Sequence, residues 1–219
     1  GRRGETSSCM RYCRPIPNGG PGTWFGFPSR LERMDNFNYL AVLISIILGL
    51  GITQLLSGFG RWVESRSSFP AFAPTIVWAV TLLVMHVQTW WTMYGMRRHV
   101  DWTFLQFLVV LLQPVTLFLL STVVLPGATS AVHDLKSNYF RQRHWFFGLL
   151  ITLLAVSIFR DIVMTGSLPG TTNLLFHGLF FATAVGGLVT ARESVHRWLA
   201  YFAAAAIAVY IGLLFQELQ

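Results

Sequence analysis

Apolar positions in this chain gather into six long stretches, 39–62, 74–96, 102–125, 145–164, 173–191 and 195–215, and most of the charge falls between them. An α-helix rises ~1.5 Å per residue and the hydrocarbon core of a bilayer is ~30 Å thick, so about 20 apolar residues cross it. The pattern therefore predicts an all-α fold, a polytopic membrane bundle of six transmembrane helices spanning residues 34–219. Local signals agree. Pro74 suits a first helical turn because its missing N–H costs nothing there. Trp90, Trp91 and Tyr94 form an aromatic belt at the end of the second span. Pro114, midway along the third, removes the donor for the Val110 carbonyl and predicts a kink. Leu135 to His144 (LKSNYFRQRH), in the longest connection, is expected to lie in the interface as an amphipathic helix.

Small residues recur every four positions on two spans. Ala41, Ser45, Gly49, Thr53 and Ser57 mark one face of the first, and Ala200, Ala204, Ala208 and Gly212 one face of the sixth. Small residues let helix backbones approach closely in lipid, where no hydrophobic drive brings helices together, so the first and sixth helices are expected to make the closest contact. A shorter small face, Thr183, Gly187 and Ala191, lies on the fifth.

Composition sharpens this picture. The 219 residues are 53% hydrophobic and 11% charged, with a mean hydropathy of +0.54, which excludes an ordinary soluble domain. The net charge of +7 and pI near 10.1 point away from nucleic acid, because six of the sixteen basic residues lie before Met34 and the rest are scattered over short loops. Gly1 to Arg33, rich in Gly and Pro, reads as a disordered tail, with Met34 the expected true start; a basic tail drawn to anionic lipid is the alternative. Counted from Met34, Arg and Lys divide seven to three between the two faces, which puts both termini outside the cytoplasm; counting the tail reverses the order to nine against seven. Cys9 and Cys13, the only cysteines, lie in the tail and cannot organise the membrane part.

The candidate chemistry is a short set of polar groups at membrane depth. His86, near the middle of the second span, stands first, since an ionisable group there faces a cavity or the bundle interior. It is either a proton or solute contact or a neutral ring hydrogen-bonded to another helix, with Gln113 at similar depth as the partner. Gln54, Ser57, Gly58 and Arg61 give the first span a polar edge, for which snorkelling of Arg61 to the interface is the preferred explanation. Arg160 and Asp161 are adjacent, about 100° apart on a helix, and need not pair. With Asp35, His99, Asp101, Asn173 and His177 on the same face, they are either a polar vestibule leading toward His86 or charges at the water boundary. His86 and His177 differ in depth by roughly 8 Å, too much for two axial ligands of one haem. No cofactor, no metal site and no catalytic motif is expected, and an enzyme is disfavoured.

The Met34 to Arg61 opening and the DLKSNYFRQRHWFF segment at 134–147 resemble small bacterial multi-span membrane proteins of unassigned activity. That resemblance covers about a fifth of the chain and implies no residue role. The sequence thus leads to a small carrier or permeation protein of the inner (plasma) membrane, with a polar interior around His86 and Gln113. Its rival is a non-transporting subunit or scaffold whose polar groups bond helix to helix. The partner is the lipid bilayer, with room for a homo-oligomer or a membrane-complex partner.

Overall fold

The computed structural model describes residues 29–64, 71–96, 102–125 and 134–214. Six helices follow one another: α1 (Ser29–Glu64), α2 (Ala73–Gly95), α3 (Phe104–Val124), α4 (Leu135–Thr165), α5 (Thr171–Val189) and α6 (Glu193–Leu214). All six are long and apolar enough to cross a membrane, and there is no strand among the described residues. Their ends follow local chemistry. Thr103 caps α3 in a reciprocal box with Gln106, and Asp134 caps α4 by accepting from the backbone N–H groups of Lys136 and Ser137. Gly166, at φ 71°, closes α4 in the left-handed conformation that glycine adopts without steric cost.

Two boundaries differ from the sequence reading. The expected tail lies largely outside the described residues, but α1 begins at Ser29, upstream of Met34. Ser29 and Glu32 have capping-box spacing and Arg30 to Met34 are all good helix formers, so Met34 marks no break in the backbone. Residues 135–144 are helical but do not form a separate interfacial piece. They run without interruption into the fourth span, giving a 31-residue helix ~46 Å long. Leu135, Asn138 and Tyr139 are buried, so this turn of helix is held by the bundle and not by the lipid surface.

The helices cross alternately. The starts of α2, α4 and α6 meet on one side, where the Phe72, Tyr139, Phe140 and His196 rings pack at centroid distances of 5.1–6.0 Å. The α4–α5 turn lies on the other. α3 packs against α4 and α1 most extensively, α4 against α5, and α6 against α2 and α5. The expected closest approach of α1 and α6 is not found among the described residues: α1 rests mainly on α3 and α2, and α6 on α2 and α5. A strict four-residue stride explains why, because each step of four turns about 40° past a full helical turn and the small ridge spirals around the helix. The buried face of α1 follows the true helical period instead, through Leu40, Ile44, Leu48, Gly51, Leu55 and Gly58, while Ser45, Thr53 and Ser57 are exposed and Ala41 and Gly49 half-buried. On α6 the buried positions are His196, Ala200, Ala203 and Ile207, Ala204 is half-buried, and Ala208 and Gly212 face outward. Thr183 and Gly187 are buried as expected of the α5 face.

Close approach occurs instead where glycine receives a large side chain. A Cβ at Gly51 would overlap the His86 ring, one at Gly58 the Leu125 side chain, and one at Gly187 the Phe147 ring, whereas one at Gly49 meets nothing within 4 Å. Gly51→Ala and Gly187→Ala should each lower stability by about 1–3 kcal/mol through overpacking. Gly49→Ala should be neutral or slightly stabilising. Thermal melting in detergent micelles checks this; an equal loss at Gly49 would mean that the close contacts are not what these glycines supply.

Candidate functional site

Arg160 lies about one and a half turns from the end of α4 and is only 8% exposed. Protein acceptors take three of its five N–H groups. Nε–H and an Nη2–H donate to Asp161 Oδ1 at 3.1 and 2.7 Å, and an Nη1–H donates to Gln113 Oε1 on α3. The sequence spacing left these neighbours unpaired, but the long arginine side chain bends back far enough to close the ion pair. Asp161 Oδ2 accepts from Asn173 Nδ2 at 3.4 Å, and Asn173 Oδ1 accepts from the Tyr210 hydroxyl at 3.1 Å. His177 donates from Nδ1 to the Asn173 carbonyl at 2.8 Å, and its Nε2 is 3.1 Å from Ser157 Oγ. With Nδ1 carrying the proton, Nε2 of the neutral ring accepts from the serine hydroxyl. One network therefore ties α3, α4, α5 and α6 together.

A partly enclosed cavity of about 80 Å³ opens against this network. Gln113, Ser157, Arg160, Asn173, His177 and Tyr210 form its polar wall, joined by Gln88, Thr89 and Thr92 from α2. Leu117, Phe176, Phe180 and Ile207 form part of the apolar wall. Counting at 1.5 Å per residue, Arg160 lies ~8 Å from the C-terminal end of α4 and Gln113 ~14 Å from the start of α3. The cavity thus occupies the half of the bundle facing the α4–α5 turn and reaches roughly mid-depth.

Of the residues singled out in the sequence, Gln113, Arg160, Asp161 and His177 come together here. His86 and Gln54 do not. The His86 ring is fully buried on the opposite flank of α2, where Nδ1–H donates to the Leu82 carbonyl at 2.7 Å and Nε2 lies 3.4 Å from Ser121 Oγ. Ser121, not Gln113, is its cross-helix partner, because Gln113 is taken by Arg160. Gln54 is half-buried on α1, which contributes nothing to the cavity. Asp35's side chain, His99, Asp101, Cys9 and Cys13 lie outside the described residues.

The sequence reading missed Gln88, Thr92 and Tyr210. Gln88 and Thr92 are four apart on an otherwise apolar helix and were legible as a stripe, but His86 drew the eye to the wrong flank. Tyr210 near a span end is indistinguishable from a belt aromatic.

An aromatic cluster occupies the opposite half. The Tyr139 hydroxyl donates to His196 Nδ1 at 3.0 Å, and His196 Nε2–H donates to the Thr190 carbonyl at 2.8 Å. Phe72, Phe140 and Phe147 close around this pair. Among the described residues no three His, Cys, Asp or Glu side chains gather to hold a metal ion.

Arg160 is buried and the Asp161 side chain is 20% exposed, so removing the carboxylate strands a charge that water reaches only in part. Asp161→Asn should therefore cost on the order of 1–3 kcal/mol, and adding Arg160→Gln should recover part of it. Thermal melting of the two variants tests the pair; an unchanged midpoint for Asp161→Asn would show that Gln113 alone satisfies Arg160. The chain matches no protein-family model, no curated protein and no solved structure.

Proposed function

We propose that this is a small carrier or permeation protein of a bacterial-type inner (plasma) membrane, with its solute site at the Arg160 cavity and not at His86. The observation that carries the reading is a buried guanidinium on the wall of a cavity at membrane depth. Ionisable groups inside a membrane are costly and mark solute or ion pathways. Binding sites in helical membrane proteins lie between helices, and here five helices contribute side chains. The asymmetry of the bundle favours the same reading: the polar network and its cavity lie toward the α4–α5 turn, and an aromatic cluster lies toward the starts of α2, α4 and α6.

A second reading keeps one specific observation. Ser45, Thr53 and Ser57 leave an exposed small-residue face on α1, suited to another transmembrane helix, as a complex subunit or scaffold would have. Solvent access separates the two.

In a chain carrying Cys9→Ser and Cys13→Ser, single Ser157→Cys, His177→Cys and His86→Cys substitutions should respond differently to a charged, membrane-impermeant methanethiosulfonate. Positions 157 and 177 should react from the face of the α4–α5 turn, and position 86 from neither face. Absence of reaction at both 157 and 177 would leave the scaffold reading in possession.

A further inference from the structure

We infer that the cavity takes a small monocarboxylate, held by Arg160 with its hydrocarbon end against Leu117, Phe176, Phe180 and Ile207. This deepens the solute-site reading and rests on it. The first step is charge. Arg160 is the only formally charged side chain on the cavity wall among the described residues; Asp161, its counter-ion, is not on that wall. The pair is neutral in sum, but Arg160 belongs to the cavity wall, whereas Asp161 does not line it and is bonded to Arg160 and Asn173. A solute there meets a positive field in a low-dielectric setting, where charge–charge interactions are far stronger than in water. An ammonium is repelled and a carboxylate attracted.

The second step is valence. A guanidinium has five N–H donors. Three are used, two by Asp161 and one by Gln113, which leaves two N–H groups without a partner among the described residues. Planar guanidinium donors match carboxylate oxygens, and charge-assisted bonds of this kind are roughly twice as strong as neutral ones. The third step is size and shape. At about 80 Å³ the cavity is roughly half the size of one that holds benzene, which suits the shortest acids and not a lipid or nucleotide. Much of the wall is leucine, isoleucine and phenylalanine, which rewards a hydrocarbon end and gives chloride nothing to hold.

The test uses the purified full chain in detergent micelles and equilibrium dialysis at neutral pH with propionate, propionamide, propylammonium and chloride, each radiolabelled in turn. Saturable propionate binding is expected, with propionamide at least about tenfold weaker and propylammonium absent. Arg160→Lys keeps the charge but loses the fork, and should weaken propionate at least about tenfold while melting cooperatively. Propionamide or propylammonium binding as well as propionate overturns the carboxylate assignment and leaves a solute site standing. Chloride displacing propionate at equal concentration overturns it in favour of a general anion site. No saturable binding of any of the four removes both the assignment and the solute reading beneath it.

Discussion

Hydrocarbon offers no hydrogen-bond partner, so every polar group inside this bundle must find one within the protein. Thr75 Oγ1 and Trp62 Nε1 are buried without a hydrogen-bond partner among the described residues, but most of the polar side chains meet that requirement, in two ways according to size. Short hydroxyls turn back onto their own helix: Thr53 to the Gly49 carbonyl, Thr81 to Val77, Thr116 to Leu112, Thr183 to Leu179. They are satisfied locally and place no demand on a neighbour. Larger groups reach across helices and so decide which helices meet. Gln113 and Arg160 join α3 to α4, Asp161 and Asn173 join α4 to α5, Asn173 and Tyr210 join α5 to α6, and Tyr139 and His196 join α4 to α6.

Shape does the remaining work. Small residues in this bundle act as sockets more than as ridges. Gly51 admits the His86 ring, which in turn reaches Ser121, so one glycine brings α1, α2 and α3 into register. Gly187 does the same for Phe147 between α5 and α4. A socket needs only one small residue opposite one large one, and it leaves no four-residue repeat in the sequence. The repeats that do occur on α1 and α6 rotate off the contact face within two or three steps, and Thr53 among them bonds back to the Gly49 carbonyl.

This is why the fold was legible and the site only partly so. Hydropathy sets span number and approximate ends, because the thickness of the bilayer is a fixed external length. Partner choice has no such external ruler. Gln113, Arg160, Asp161 and His177 stood out because polar side chains are rare in apolar spans, yet their assembly depends on helix rotation and on the direction in which Arg160 folds. His86 stood out for the same reason and belongs elsewhere: one step of about 100° separates the flank of α2 that faces Gly51 and Ser121 from the flank that carries Met85, Gln88, Thr89 and Thr92. A residue's depth could be read from the sequence, but its azimuth could not.

Depth and azimuth together give the bundle its polarity. A buried ion pair is weak as a device for stability, since desolvating both charges offsets much of their attraction. Its orientation has a separate effect. Asp161 is tied to Asn173 and does not line the cavity, while Arg160 forms part of its wall, so the two members of a pair that is neutral in sum have different surroundings. At the start of α4 the Phe72, Tyr139, Phe140 and His196 rings pack against one another instead. The polarity of the bundle is thus built from two local arrangements, a turned ion pair and an aromatic cluster, at opposite ends of the same helix, α4.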